Sequence, residues 1–420
     1  MSDCCADYAA SSGISRRGFL TGLAAAGGTL AATRLFGEAV LQTSYAAASG
    51  GNTLVVLSLR GGIDGMGVVV PHGDPGYYTA RPNTAIPANA TLAANSLFGL
   101  HPAMAPLLPY WNSGQLAAVH AVGMAVPNRS HFSAIEEIED ASPGSDARVG
   151  WVNRMIGAGS VHTPLDAVQV GDQILPTALT GPNSALGASD LSDLMLPNAK
   201  DDPDRIYPSM NAAWANDAGP LGRSAREAIA VSQGPGAAIN NTPHSGAAYP
   251  SGWPNDDLSD ALKSAARIIR ADVGCDVIAV DYGGWDLHSG YGTVSSGSMQ
   301  TYLAGFAASL AAFLDDLGPL RSKVTVVTIS EFGRRVAENG NRGFDHGWGN
   351  MMLLAGAGVK GGQYYGTWPG LDAAALLEGD LQVTTDYRNV LGEVITKRFP
   401  GRSISEVFPG LSYAPLGLLT

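Results

Sequence analysis

Glu331, Asp345 and His346 fall within one Gly- and Asn-rich stretch, EFGRRVAENGNRGFDHGWGN (Glu331–Asn350), directly after the β-like run Val324–Ile329. Asp286 and His288 stand in DYGGWDLHSG, after the apolar run Asp276–Val280, and Asp64 stands in RGGIDGMG, after Asn52–Leu59. Each residue alone is a weak signal. A single Asp after a strand is more often a turn or cap residue, and a polar loop is often polar only because it is wet. The coincidence at several strand ends is stronger. Carboxylates gathered at one point repel each other and lose hydration, which a bound cation offsets. His mixed with Asp and Glu suits a divalent metal, zinc first, then manganese or iron; an all-oxygen subset suits calcium or magnesium. Asp64, Asp286, His288, Glu331, Asp345 and His346 are therefore the candidate ligands.

A candidate nucleophile lies in VPNRSHFSAIEEIED. Ser130 precedes a helical stretch, and a helix N-terminus favours anions, which would assist a hydroxyl attacking phosphate or sulfate. Arg129 could hold a substrate oxygen, and His131 could act as ligand or acid. The plainer reading makes Ser130 only a helix cap. Other motifs fail their context. GAGVKG (Gly356, Gly358, Gly361) is followed by GQYYGTWPG, which is not helical, so it reads as a turn. There is no P-loop and no G-x-S-x-G elbow. Trp285, Trp348 and Trp368 flank the candidate site, where packing is the commoner role for Trp.

These residues need a scaffold that brings strand ends together. Six strands are expected, at Asn52–Leu59, Gln115–Val122, Leu165–Val170, Asp276–Val280, Val324–Ile329 and Met351–Ala355. Helices are expected at Asp257–Ala271, at Ser298–Leu317, and at Tyr387–Phe399, the last capped by Thr385 or Asp386 and stopped by Pro400 and Gly401. Within Ser298–Leu317, Leu303, Phe306, Leu310, Phe313 and Leu314 form one stripe. Continuous apolar strands alternating with helices imply an α/β fold with a mainly parallel sheet covered on both faces. Ligands on such sheets bind beyond the carboxyl ends of the strands. From about Gly171 to Asp256 the chain is rich in Pro, Gly, Asn and Ser and reads as a loop-rich insertion.

The chain has 420 residues, 45% of them hydrophobic, and a net charge of −12. That is enough for a large core, and an acidic balance without a basic block argues against nucleic acid or an anionic membrane as partner. At the N-terminus, Arg16 and Arg17 precede a mildly apolar run from Gly18 to Ala32, with small residues near Ala46–Ala48. This is the twin-arginine export pattern with a cleavable leader, residues 1–48, ahead of a mature chain 49–420. The run is too short and too Gly/Ala-rich to span a membrane well, so no stable span is expected after cleavage. The expected location is periplasm, cell envelope or exterior. Cys4 and Cys5 belong to the leader, which leaves Cys275 without an intrachain disulfide partner.

In order along the chain, LVVLSLRGGIDGMGVVVPHGDPGYYTARP, LHPAMAPL, AVHAVGMAVPNRSHF, GGWDLH, EFGRRVAENGNRGFDHGWGN and GGQYYGTWPGL resemble a large family of twin-arginine-exported bacterial proteins of unknown function. That family is grouped with the alkaline phosphatase/sulfatase superfamily. The resemblance covers nearly all of the mature chain. It implies a three-layer α/β/α sandwich with one or two divalent metals at the carboxyl edge of the sheet, and hydrolysis or transfer of phosphate or sulfate esters. On that resemblance Asp64 is the first-strand ligand, Ser130 takes the nucleophile's place, and Asp286 with His288 form an Asp/His ligand pair. Glu331 stands where an Asp-His pair is usual, and Asp345 with His346 form a displaced pair or supply the late His. Two departures are visible: a single residue separates Asp286 from His288, and Phe332 rather than His follows Glu331.

The reading that follows is an exported metal-dependent hydrolase acting on an anionic phosphate or sulfate ester. Ser130 would attack, Arg60 or Arg129 would offset substrate charge, and two metals, if both bind, would lie ~3.5–4 Å apart and clamp the attacking and leaving oxygens. The alternative is a non-catalytic exported binding or assembly protein on the same fold; an iron or manganese oxidoreductase is a third.

Overall fold

The computed structural model describes residues 51–145, 147–158 and 162–420. The expected leader lies outside the described residues.

A nine-stranded sheet forms the centre. Its strands are β1 (Thr53–Leu59), β2 (Leu116–Gly123), β3 (Ala167–Val170), β4 (Leu186–Ala188), β5 (Val277–Tyr282), β6 (Val324–Ile329), β7 (Asn350–Gly356), β8 (Tyr364–Tyr365) and β9 (Thr385–Asp386). The spatial order is β8-β2-β7-β6-β1-β5-β3-β4, with β9 also beside β2. Every pairing is parallel except the two made by β7, which runs antiparallel between β2 and β6. All six expected strands are present, β6 with its expected ends.

The main helices are α1 (His131–Asp140), α2 (Trp151–Gly157), α3 (Pro203–Trp214), α4 (Pro220–Val231), α5 (Asp256–Ala271), α6 (Ser298–Asp316) and α7 (Tyr387–Arg398). Side chains of a strand alternate between faces, and β1 shows the consequence. Val55, Leu57 and Leu59 join one core with Leu262 of α5 and Phe306 of α6, while Leu54 and Val56 join the other with Ile138, Trp151 and Val390 of α1, α2 and α7. The result is three layers. The α6 stripe (Leu303, Phe306, Leu310, Phe313, Leu314) is at most 1% exposed, and full burial stabilises by about 1.5–3 kcal/mol per side chain of this size. Asp386 caps α7 by accepting from the Arg388 N–H at 2.9 Å. Cys275 is a buried free thiol, pushed well above the ordinary thiol range first by burial and then by nearby Asp276 and Asp166.

The stretch 171–256 holds α3, α4 and several short turns, and supplies β4 to the sheet edge. Tyr207 and Ile229 form a small core of their own with Ala199. No helix among the described residues is long and apolar enough to cross a membrane.

Parallel pairing places the carboxyl ends of β1, β5 and β6 on one rim. Leu59 is level with Tyr282, and Ser58 with Ile329. Because β7 is antiparallel, its first residue, Asn350, lies against Val122 near the end of β2. Four segments therefore emerge at the same rim: 60–64, 124–131, 283–288 and 330–349.

Candidate metal centre

Two close backbone approaches draw these segments together. A Cβ on Gly61 (φ +114) would come within 2.7 Å of the Asp286 backbone nitrogen. The long loop folds back on itself through Gly333 N–H to Trp348 carbonyl at 3.0 Å and Gly347 N–H to Gly333 carbonyl at 2.9 Å. A Cβ on Gly347 would stand 2.4 Å from the Arg334 carbonyl carbon. Glycine at both positions lets side chains of distant origin converge.

His131, Asp286 and His346 each offer a ligand atom, all within 4.8 Å of one another. His288 joins them. The Nε2 of His346 lies 3.0 Å from Nε2 of His131 and 3.0 Å from Nε2 of His288. Asp286 Oδ1 is 3.1 Å from Nε2 of His288, 3.4 Å from that of His346 and 3.6 Å from that of His131. Phe332, buried, packs its ring at 4.8 Å from His131 and 4.7 Å from His346. Asp286 is 41% exposed at its side chain, so the cluster opens to solvent.

Each imidazole is held from behind through Nδ1. His131 Nδ1 is 2.9 Å from Glu331 Oε1, His288 Nδ1 is 3.0 Å from Asp345 Oδ1, and His346 Nδ1 is 2.8 Å from the Arg129 carbonyl oxygen. A carbonyl oxygen only accepts, so His346 Nδ1 carries the proton. Ionised carboxylates impose the same on the other two rings. Both carboxyls lie below the ordinary range. Burial of Glu331 opposes this and is outweighed by His131 and backbone N–H bonds, including that from Gly61. Burial of Asp345 is outweighed by Asn339 and His288. In their neutral form the rings thus aim three Nε2 lone pairs at each other and at a carboxylate. Acceptors meeting acceptors at hydrogen-bond distance need a proton or a cation between them.

The neighbouring carboxylates favour the protonated form of two of these imidazoles. His131 is pushed up to about 9, its burial being outweighed by bonds to Asp286 and Glu331. His288 is raised, first by its bond to Asp286. Asp286 is held far below the carboxylate range, with burial outweighed by the three imidazoles and Arg334. Three imidazoles and one carboxylate, each ring oriented by an acceptor on its far nitrogen, is a donor set that fits zinc or a related divalent ion.

The remaining expected residues have other surroundings. Asp64, 3% exposed, is gripped by Arg81 through Nη1 to Oδ2 at 2.6 Å and Nη2 to Oδ1 at 3.0 Å, and receives the Tyr291 hydroxyl at 2.6 Å. It is therefore not brought to the imidazole cluster. Glu331 and Asp345 reach the cluster only through Nδ1 atoms. His131, expected as catalytic, places Nε2 among the candidate ligands. Ser130 directly precedes it as the N-cap of α1, and its side chain makes no cap hydrogen bond. Arg129 turns its guanidinium to Asp380, with Nε to Oδ2 at 2.8 Å, and to Glu378. Arg60 pairs with Glu139 and Asp281. Trp285 is buried, while Trp348 and Trp368 donate their Nε1 protons to Met124 O and Asp74 Oδ2.

Arg81 and Tyr291 carry no local mark in the sequence. Arg334 lies within Glu331–Asn350, where its signal is a cation among candidate ligands. A cavity of about 560 Å³ lined by Tyr249, Lys263, Arg267 and Asp316 shares no residue with this cluster.

These features define an α/β protein with an imidazole–carboxylate cluster on the carboxyl rim of its sheet. Residues 52–387 match the family described as "Protein of unknown function (DUF1501)", and the chain belongs to that family. No curated protein matches the sequence. Among solved structures, it is similar to the C-terminal periplasmic domain of EcEptC from Escherichia coli at 10% identity, covering 87% of this chain and 88% of that one, with a TM-score of 0.36. It is also similar to the PsFucS1 sulfatase from Pseudoalteromonas sp. at 12% identity, covering 80% and 70%, with a TM-score of 0.35. A protein in the alkaline phosphatase superfamily from Vibrio parahaemolyticus is similar at 10% identity, covering 74% and 62%, with a TM-score of 0.33.

Proposed function

We propose that the chain is an exported metal-dependent hydrolase of phosphate or sulfate esters. The observation that carries this reading is the convergence of three Nε2 atoms on Asp286 Oδ1, at 3.1 to 3.6 Å, with every Nδ1 already engaged. His131, Asp286, His288 and His346 would hold the ion. A divalent cation bound there supplies Lewis acidity toward an ester oxygen and lowers the pKa of a hydroxyl or water. Glu331, Asp345 and the Arg129 carbonyl fix the ring orientations. Ser130, at the N-terminus of α1 and next to a ligand, is the nucleophile in this reading. The exposed edge of Asp286 gives substrate its approach. Export rests on Arg16 and Arg17, and replacing both with Lys should retain the precursor in the cytoplasm.

The test is metal analysis of the purified mature chain together with a panel of aryl phosphates and aryl sulfates. Near-stoichiometric divalent metal and turnover lost in His346→Ala are expected. A chain that folds, takes up no divalent ion and turns over none of the panel would end the proposal.

One observation favours the second reading, an exported binding or assembly protein. Arg60 and Arg129, the two cations expected to meet an anionic substrate, are both committed to carboxylates. Ser130→Ala separates the readings: loss of turnover in a folded, metal-loaded variant requires an enzyme.

A further inference from the structure

We propose that this centre holds one cation and not two, because buried guanidinium groups supply the positive charge that a second cation would bring. The inference rests on the metal-centre reading above.

Arg334 is 1% exposed. Its Nη2 lies 2.6 Å from Asp286 Oδ1, the oxygen on which the three imidazoles converge. Its other donors are spent on the protein: Nε on the Gly62 carbonyl at 2.6 Å, Nη1 on the Phe344 carbonyl at 2.9 Å, and Nη2 also on the Gly61 and Trp285 carbonyls. Nη1 also stands 3.4 Å from His288 Nε2. A guanidinium stays charged throughout the accessible pH range, and this one is tied by four carbonyls from three segments of the rim. It is a permanent positive charge built against the ligand carboxylate.

Asp64 is the only other candidate ligand on the first strand's loop. Arg81, fully buried, binds both of its oxygens, and the Arg81 guanidinium carbon lies 4.0 Å over the Phe344 ring. Tyr291 takes a second position on Oδ2. A second cation at Asp64 would have to strip these partners from a carboxylate removed from water. Unlike charges at these sites are already matched, so a further two positive charges would be repelled and left short of ligands.

The experiment is a titration of the metal-free mature chain with Zn²⁺ and, separately, Co²⁺, read by native mass spectrometry and by the visible absorption of bound Co²⁺. One equivalent per chain is expected, and two tight equivalents would overturn the inference while leaving the metal centre standing. Zero equivalents would remove the metal centre itself, so the two failures are distinguishable. Arg334→Gln combined with Arg81→Met provides the second arm. It removes both guanidinium charges and releases the Asp64 oxygens that Arg81 holds, and a weaker second equivalent should appear. A folded double variant that still stops at one equivalent would overturn the role given to the two guanidinium groups. Should that variant not fold, the wild-type stoichiometry decides.

Discussion

His131 Nδ1 lies 2.9 Å from Glu331 Oε1, although 200 residues separate the two in the chain. Glu331 is thereby an orienting group behind an imidazole. It also receives the Gly61 N–H at 2.8 Å, and it ties the ends of β1 and β6 to the start of α1. Glu331→Gln keeps the shape and removes the charge that fixes the His131 tautomer. Partners of this kind are worth ~10–100-fold in metal affinity, and a chelator competition should show a loss in that range with the far-ultraviolet circular dichroism unchanged. Unaltered affinity would show that Glu331 serves packing alone.

His346 is the imidazole shared by both short Nε2 contacts, so removing it opens the centre of the cluster. His346→Ala should retain less metal than the wild type after dialysis, since the variant loses the imidazole that contacts both of the others. Inductively coupled plasma analysis of both proteins is the check.

The Arg81–Asp64 pair is a matter of stability. Breaking a buried ion pair from one side leaves an unpaired charge and costs about 3–5 kcal/mol. Arg81→Met should lose that much in urea denaturation. Combining it with Asp64→Asn should recover a part, because no bare carboxylate is then left. A double variant as unstable as the sum of its singles would contradict this account.

The metal-free chain should lose stability in alkali over a defined window. The folded His131 is raised to about 9, above the ordinary value of 6.5, so its contribution is complete below about 6.5 and is lost as pH climbs through about 9. The same protons compete with metal. Affinity should therefore increase as pH rises toward 9, with protons released on binding. Thermal scans of the metal-free chain and proton release in calorimetry measure the two effects; a flat profile on both would exclude His131 from the cluster.

Much of the scaffold was legible because continuous apolar strands and the α6 stripe repeat at fixed periods. The antiparallel course of β7 was not, since an apolar run has no direction. At the site, Asp286, His288 and His346 were visible as ligand types at strand ends, and their convergence follows from the shared rim. Asp64 reads identically in sequence, but its partners Arg81 and Tyr291 lie 17 and 227 residues away and carry no local mark. The division of labour between Nε2 and Nδ1 was equally hidden. A residue's type says that it can bind metal, whereas only its neighbours decide whether it binds the ion or steadies another group that does.

The ligand set draws on α1, on the 283–288 segment and on the long loop before β7, and the bonded imidazole pairs span 215 and 58 residues. A bound ion there would act as a rivet through three otherwise separate pieces of chain. Withdrawing it should therefore do more than silence chemistry. It would unfasten the rim, and after chelation proteases should cut between Gly340 and Gly349 at protease concentrations that the metal-loaded chain survives.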